Sequence, residues 1–428
     1  MVAEKFPISK GRFLGLVELN YILDNIDTNG YMFRLKIWDL APKIDCDHPI
    51  SFSKCRHASL KDELLDNGRI IYAEYLETTC TEQDLLTYME FYSWTKIEIY
   101  DCYEYTKQYL PRPFVETIFK LYKDKTELKD VEGREVDYMI AKAMLNALYG
   151  MTVTDIVREE LFYDDSHVDQ DNRSMPFYSN YDEMEKLSPE EQKKAEEAFL
   201  VEQITRYNNN PYRFLFYVWG VWVTAYARRN LFSGIKHCNK DYIYADTDSI
   251  KILNPEKHMS YIEDYNAQIT EKLKQACEFH EFDFSLTKPK NIHGEEKPLG
   301  VWEFEGIYDE FMTLGAKRYM WLKDDRWNLT VAGVNKKSGM NYLLKRAKEE
   351  NKSPFDFFNM DLIFPATDSG RNVLTYIDTP MSGTITDYYG IVAEYEELSG
   401  IHMESTDYSL NPMKNFLDYL FMIKDESW

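Results

Sequence analysis

Cysteine is scarce, with six in 428 residues. That excludes a disulfide-stapled secreted scaffold and fits a reducing compartment. No run of eighteen apolar residues occurs, so the sequence carries no signal for a membrane-spanning helix. The opening residues, Met1 to Gly11, lack the apolar core and cleavage site of a secretory leader. Basic residues are outnumbered, 50 against 73 acidic, for a formal net charge of −23. This is not the balance of a histone-like or basic-tailed protein, although a local basic groove can sit in an acidic shell. There is no internal repeat and no low-complexity tract. The Gly-x-x-x-x-Gly-Lys-Ser/Thr loop is also missing, which counts against an ATPase. What the chain has in plenty is aromatic residues, 33 Tyr and 24 Phe. At roughly 150 residues per domain it holds about two to four domains and can bury substantial cores.

Strand-like runs are predicted at Phe13 to Ile22, at 31–38 and at 70–75, and the first begins at once, as if mid-domain. Helices are predicted over 82–97 and over 112–129, the latter behind Pro111 and Pro113. A longer helix is expected over 134–149, with Gly150 as its C′ stop. After an acidic stretch at 159–187, Ser188-Pro189-Glu190-Glu191 gives a capping box and opens a charged helix that Asn208-Asn209-Asn210-Pro211 ends. An aromatic-rich, buried helix is expected over 212–234, two strands with a tight turn over 241–253, and another helix over 258–279. Residues 311–334 alternate like a hairpin. The last hundred residues read as a separate small domain, opened by the basic run around Lys336 and Lys345.

The sharpest chemical signal is Asp246-Thr247-Asp248-Ser249 between two short apolar runs. Two carboxylates two apart on a hairpin turn can present oxygens to Mg²⁺, which takes hard ligands and keeps water and phosphate in its shell. By itself Asp-Thr-Asp is also an ordinary turn. The second signal is Lys142-x-x-x-Asn146-x-x-Tyr149-Gly150. At i, i+4 and i+7 on a helix, the cation, the amide and the ring share one face, suited to a triphosphate and a base; the plain alternative is a core helix with a snorkelling Lys. The third is Lys317-Arg318-Tyr319, whose first and last residues share one face if the segment is a strand. The fourth is Lys120, Lys123, Lys125 and Lys129 on one helix, able to neutralise phosphate or simply to solvate a surface. Cys46, His48, Cys55 and His57 depart from the usual zinc spacing, and Cys238 and Cys277 read as core thiols. Trp219, Trp222 and Tyr226 read as helix packing, not a stacking platform.

In this order the four signals resemble the family B DNA polymerases, within them the protein-primed phage and linear-plasmid type. Lys142-x-x-x-Asn146-Ala147-x-Tyr149-Gly150 is similar to motif B, with Ala147 where Ser is usual. Tyr244-Ala245-Asp246-Thr247-Asp248-Ser249 matches motif C, and Lys317-Arg318-Tyr319 matches the Lys-x-Tyr motif. The resemblance implies catalytic roles for Asp246, Asp248 and Lys142, with Asp246 and Asp248 as ligands of a two-ion Mg²⁺ site that also admits Mn²⁺. It implies substrate contacts for Asn146, Tyr149, Lys317 and Tyr319, and an incoming-phosphate lysine at Lys125, with Lys129 as rival because Asp130 to Gly133 blurs the register. Template-primer DNA and deoxynucleoside triphosphates are the implied partners, with a terminal protein as an alternative primer and no membrane.

The resemblance also implies an α+β right-hand architecture: an antiparallel palm sheet, helical fingers and a small thumb, truncated at the N-terminus. The expected layout is palm with a terminal-protein-region-like insertion over 1–110, fingers over 111–152, palm over 153–325 with an insertion at about 159–211, and thumb and C-terminal region over 326–428. Ala332-Gly333 and the basic stretch to Lys337 resemble the palm-to-thumb passage. The Ser-Leu-Tyr-Pro-like motif A does not occur, and the upstream exonuclease domain that carries an Asp-x-Glu motif in the family is expected to be missing too, so a separate segment carrying motif A is an expected partner. The expected location is the cytoplasm, that of a bacterial host if the chain is phage-encoded. Against this DNA-directed DNA polymerase stand a non-catalytic DNA-binding replisome subunit of the same fold and an unrelated phosphoryl-transfer enzyme using Asp246 and Asp248 alone.

Overall fold

The computed structural model describes residues 1–60, 65–66, 68–154, 188–210, 216–377, 382–386, 391–396 and 400–410. More than half of the expected insertion at 159–211 therefore lies outside the described residues. The chain divides into two compact units, Met1–Asp241 with Asn254–Trp302, and Tyr242–Leu253 with Glu303–Trp428.

The first unit is built on a seven-stranded antiparallel sheet. Its strands are β1 (Phe6–Pro7), β2 (Arg12–Val17), β3 (Asn29–Pro42), β4 (Cys55–Leu60), β7 (Ala73–Thr81), β8 (Tyr92–Ser93) and β9 (Lys96–Gln108). A small ladder, β5 (Leu65–Asp66) with β6 (Arg69–Ile70), lies apart from it. Strand β3 runs between β7 and β9. Alternation explains its register: Tyr31, Phe33, Leu35 and Ile37 are all but fully buried, while Arg34, Lys36 and Trp38 face the other way. Each inward side chain contributes roughly 1.5–3 kcal/mol by burial.

Helix α1 (Leu19–Asn25) corrects the strand expected to Ile22. Its Ile22 turns inward, and Tyr21 donates to Glu104 at 3.0 Å, so long-range contacts override β propensity. Helix α2 (Glu82–Phe91) is closed by a capping box of Thr81 and Asp84 and stops short of the expected 97. Tyr92–Ser93 forms β8 instead, and Lys96 and Ile97 open β9, in which Ile97 and Ile99 are two apart.

Helix α3 (Arg112–Leu128) starts behind Pro111 and packs on α4 (Glu135–Thr152). Gly150 does not stop α4. It has no positive φ, and the helix runs on to Thr152, whose hydroxyl donates to the Tyr149 carbonyl at 2.7 Å. Helix α5 (Pro189–Asn209) shows the expected Ser188–Glu191 capping box.

Helix α6 (Tyr217–Cys238) is the unit's spine. Trp219 Nε1 donates to the Pro7 carbonyl at 2.8 Å, and Trp222 Nε1 to Glu82 at 2.9 Å. Arg228 grips Asp84 with two bonds of 2.9 and 3.2 Å. Glu82 is fully buried and is matched by Lys107 at 3.5 Å and by the Tyr31 amide at 2.9 Å. Losing one member of such a buried pair costs about 3–5 kcal/mol. Phe6, Val115, Phe119, Trp222 and Leu273 form the core that α3, α6 and α7 (Met259–His280) share. Trp219 and Trp222 are thus packing residues.

The second unit begins with β10 (Tyr242–Asp246) and β11 (Ser249–Ile252), an antiparallel pair. The alternating segment at 311–334 is a three-stranded meander, β12 (Glu310–Thr313), β13 (Arg318–Lys323) and β14 (Arg326–Val331). Helix α8 (Lys336–Glu350) follows, capped by Asn335, whose Oδ1 accepts from the Lys337 and Ser338 amides at 3.1 Å. Met320, Leu329, Leu343, Phe358 and Phe364 are the core beneath it. Among the described residues the unit also has short helices α9 (Pro354–Phe357) and α10 (Ala366–Ser369) and three strand pairs. The pairs are β15 (Ile363–Phe364) with β20 (Tyr408–Ser409), β16 (Asn372–Ile377) with β19 (Gly400–Ser405), and β17 (Ser382–Thr386) with β18 (Val392–Glu396).

Candidate catalytic site

The β10–β11 pair carries both candidate carboxylates on its turn. Asp246 faces Ser249 in the ladder, so Thr247 and Asp248 alone make the connection. The turn is tight: Thr247 has φ 57°, and the Asp248 amide donates to the Asp246 carbonyl at 2.6 Å. Asp246 is half-buried and Asp248 exposed.

The alternation of β10 puts Tyr244 on the same face as Asp246. The Tyr244 ring is buried 5.0 Å from Tyr319 and 6.0 Å from Phe311, and Phe311 stacks on Tyr319 at 5.6 Å. This aromatic cluster ties the hairpin to the meander. Burial pushes the Tyr244 hydroxyl up from its ordinary value, and it accepts from the Lys317 amide at 3.0 Å.

Lys317 is not on a strand, which corrects the expectation that it shares a strand face with Tyr319. It sits in the turn before β13 with φ 53°. The expectation that Asp246, Asp248 and Lys317 share one palm-like sheet is also corrected, since the hairpin and the meander are separate sheets. The turn aims the ammonium at Asp246, 2.8 Å from Oδ1 and 2.7 Å from Oδ2. That bond raises Lys317 above the ordinary lysine value. The pair is open to solvent, with the lysine side chain 56% and the aspartate 26% exposed. Sequence reading passed over Tyr244 as an anchor; its position two before Asp246 in an alternating strand was the available signal.

The other candidates belong to the first unit. Lys142 and Asn146 are exposed on α4 and Tyr149 is half-buried, one helical face as expected. Lys142 Nζ lies 5.9 Å from the Tyr138 ring centroid. Lys125 is in the last turn of α3, 5.6 Å from the Tyr122 ring, whereas Lys129 has left the helix as its C-cap. Helix α6 holds α4 close: a Cβ on Gly220 would lie 2.2 Å from Val153 and 2.6 Å from Thr152.

Two carboxylates on one turn are suitable hard donors for a divalent ion, and their exposure leaves room for water and phosphate. Among the described residues no three His, Cys, Asp or Glu gather as a metal site, so Asp246 and Asp248 fit as part of a ligand set. Cys46, His48, Cys55 and His57, all described, do not gather as such a site either. No described helix is long and apolar enough to cross a membrane.

Three comparisons bear on this geometry. No curated protein matches the chain. Its structure is similar to phi29 DNA polymerase in a ternary complex with primer-template DNA and incoming nucleotide, with a TM-score of 0.52 at 13% identity. The single-stranded-DNA complex of the same polymerase gives 0.52 at 14%, and its post-translocation binary complex 0.51 at 15%. The likeness covers 96% of this chain and 56% of the ternary-complex polymerase chain, 96% and 55% for the single-stranded-DNA complex, and 95% and 55% for the binary complex. At these identities it establishes the fold, a mixed helix and antiparallel-sheet polymerase fold. The family model for type B DNA polymerases, organellar and viral, matches residues 1–218. The chain belongs to the organellar and viral type B DNA polymerases.

Proposed function

We propose that this chain is the nucleotidyl-transfer part of a DNA-directed DNA polymerase. The observation that supports it most is Asp246 and Asp248 together on one tight turn, with Lys317 bonded to the first, in a member of the type B polymerases. In this reading a primer 3′-hydroxyl gives up its proton to solvent water and its oxygen bonds to the α-phosphorus of a deoxynucleoside triphosphate. The bond from that phosphorus to the bridging oxygen breaks, and pyrophosphate leaves. A protein hydroxyl would serve equally as primer.

Asp246 and Asp248 would hold Mg²⁺, or Mn²⁺ in its place. When bound, the ion supplies positive charge at the phosphoryl oxygens. Lys142 would neutralise the triphosphate, helped by Lys125 or its rival Lys129. Asn146 and Tyr149 would line the nucleotide, and Lys317 and Tyr319 would steady the primer end. DNA-backbone contacts would weaken steeply with salt. The place of action would be the cytoplasm, that of a bacterial host if the gene is a phage's.

Two carboxylates close one side of a two-ion site. We therefore infer that a segment carrying a motif A aspartate completes it, in trans or by fusion. A non-catalytic DNA-binding subunit is the second reading, favoured by the lysine that already neutralises Asp246. Primer extension with Mg²⁺ and with Mn²⁺ separates them. The expected result is little synthesis by the 428-residue chain and robust synthesis once the segment is added, lost again in Asp246→Asn and Asp248→Asn. A folded, completed assembly that binds primer-template and synthesises nothing supports the second reading.

A further inference from the structure

The chain crosses from the first unit into the carboxylate hairpin at Asp241 and returns at Asn254. The two crossing points are bonded to each other. Asn254 Nδ2 donates to Asp241 Oδ1 at 2.9 Å, and His258 Nε2 lies 3.0 Å from Asp241 Oδ2. An ionised carboxylate only accepts, so Nε2 is the protonated nitrogen of that ring. The His258 side chain is 9% exposed, wedged against His237 at 5.3 Å between ring centroids, and His237 stacks on Tyr261 at 4.2 Å. Tyr261 in turn shares a 2.8 Å bond with Ser233 of α6. Lys257 approaches the same carboxylate at 4.0 Å. Together these hold the Asp241 carboxyl below its ordinary value, the Asn254 bond first and the His258 bond next.

Asn254 has φ 46° and ψ 53°, a left-handed conformation that Asn adopts more readily than most residues. It aims the amide back across the hairpin base. The first ladder pair, Tyr242 with Ile252, begins one residue beyond Asp241 and is followed by an irregularity before Tyr244. A four-to-five-residue ladder with a flaw near its base is marginal by itself. A fixed base is what such a hairpin lacks.

We propose that Asp241, Asn254 and His258 form a clasp that sets the placement of Asp246 and Asp248, and that all three are positioning residues for metal binding. The proposal rests on the reading that these two carboxylates take a divalent ion. None of the three touches the reacting atoms; they act through the two strands they join.

The test uses the full chain and two readouts, amide hydrogen exchange of Tyr242–Leu253 and direct titration with Mn²⁺. Asn254→Gly keeps the left-handed backbone available and removes only the side-chain bond. His258→Ala removes the ring, and His258→Gln can restore a donor. We expect Asn254→Gly and His258→Ala to speed hairpin exchange at least tenfold and weaken Mn²⁺ binding about tenfold, with exchange in β12–β14 unchanged and His258→Gln recovering both. Unchanged hairpin exchange in a folded Asn254→Gly chain overturns the clasp. Faster exchange with unchanged Mn²⁺ affinity overturns its positioning role. A wild-type chain that takes no Mn²⁺, while its variants still exchange faster, refutes the metal reading and keeps the clasp.

Discussion

Lys317 Nζ lies 2.8 and 2.7 Å from the two oxygens of Asp246, across 71 residues of sequence. The contact spans two separate sheets and uses a lysine whose own backbone is left-handed. A lysine there holds the carboxylate in place and competes with any other cation for it.

Lys317→Gly keeps the positive φ and removes the competitor. An exposed ion pair of this kind contributes about 0.2–1 kcal/mol, so Mn²⁺ affinity should rise up to about fivefold. Primer extension by a completed polymerase should fall at the same time, because the primer end loses its lysine. Equal or weaker Mn²⁺ binding in calorimetric titration would show that the lysine does not compete.

Lys142→Ala should lower the apparent affinity of a reconstituted polymerase for deoxynucleoside triphosphate by on the order of 1–3 kcal/mol, the range for a lost charge-assisted bond. DNA affinity should stay the same. Steady-state kinetics with unchanged apparent affinity would remove Lys142 from the triphosphate site.

Gly220→Ala should destabilise the first unit by about 1–3 kcal/mol through overpacking, since its Cβ would meet Val153 at 2.2 Å. The readout is the midpoint of urea unfolding. No shift would mean that the C-terminal end of α4 yields easily.

Stability should depend on pH through Glu104. Burial pushes its carboxyl up, but hydrogen bonds from Arg12, Tyr21 and Tyr31 outweigh it, leaving it below its ordinary value of 4.5. A depressed carboxyl stabilises the fold above that ordinary value and loses the contribution as pH falls through its folded value. Glu104→Gln should therefore lower the melting temperature at pH 7, and its difference from wild type should shrink as pH drops below 4.5. A constant difference from pH 7 to 3 would sink the assignment.

Local pattern was enough for several elements. Alternation and a polar turn placed Asp246 and Asp248 at a hairpin tip, and Ser188 with Glu191 announced a helix start, because both depend on residues within a few positions of one another. The i, i+4, i+7 spacing likewise put Lys142, Asn146 and Tyr149 on one face of α4. Motif order, read as resemblance, reached the family that the match over residues 1–218 establishes.

Other features were set by partners distant in sequence. Leu19–Asn25 is a helix where β-favouring Tyr21 and Ile22 argued for a strand, since Glu104 and the core claim those side chains. Gly150 continues a helix it was expected to end, because no positive φ is demanded there. The bond from Lys317 to Asp246 and the clasp of Asp241 by Asn254 and His258 have no signature in spacing. The sequence by itself determined which groups this protein has for chemistry and the local turn or helix that carries each. Tertiary structure decided what holds them, since a hydrogen bond requires a donor and an acceptor about 3 Å apart, and only folding brings residues 71 positions apart to that distance.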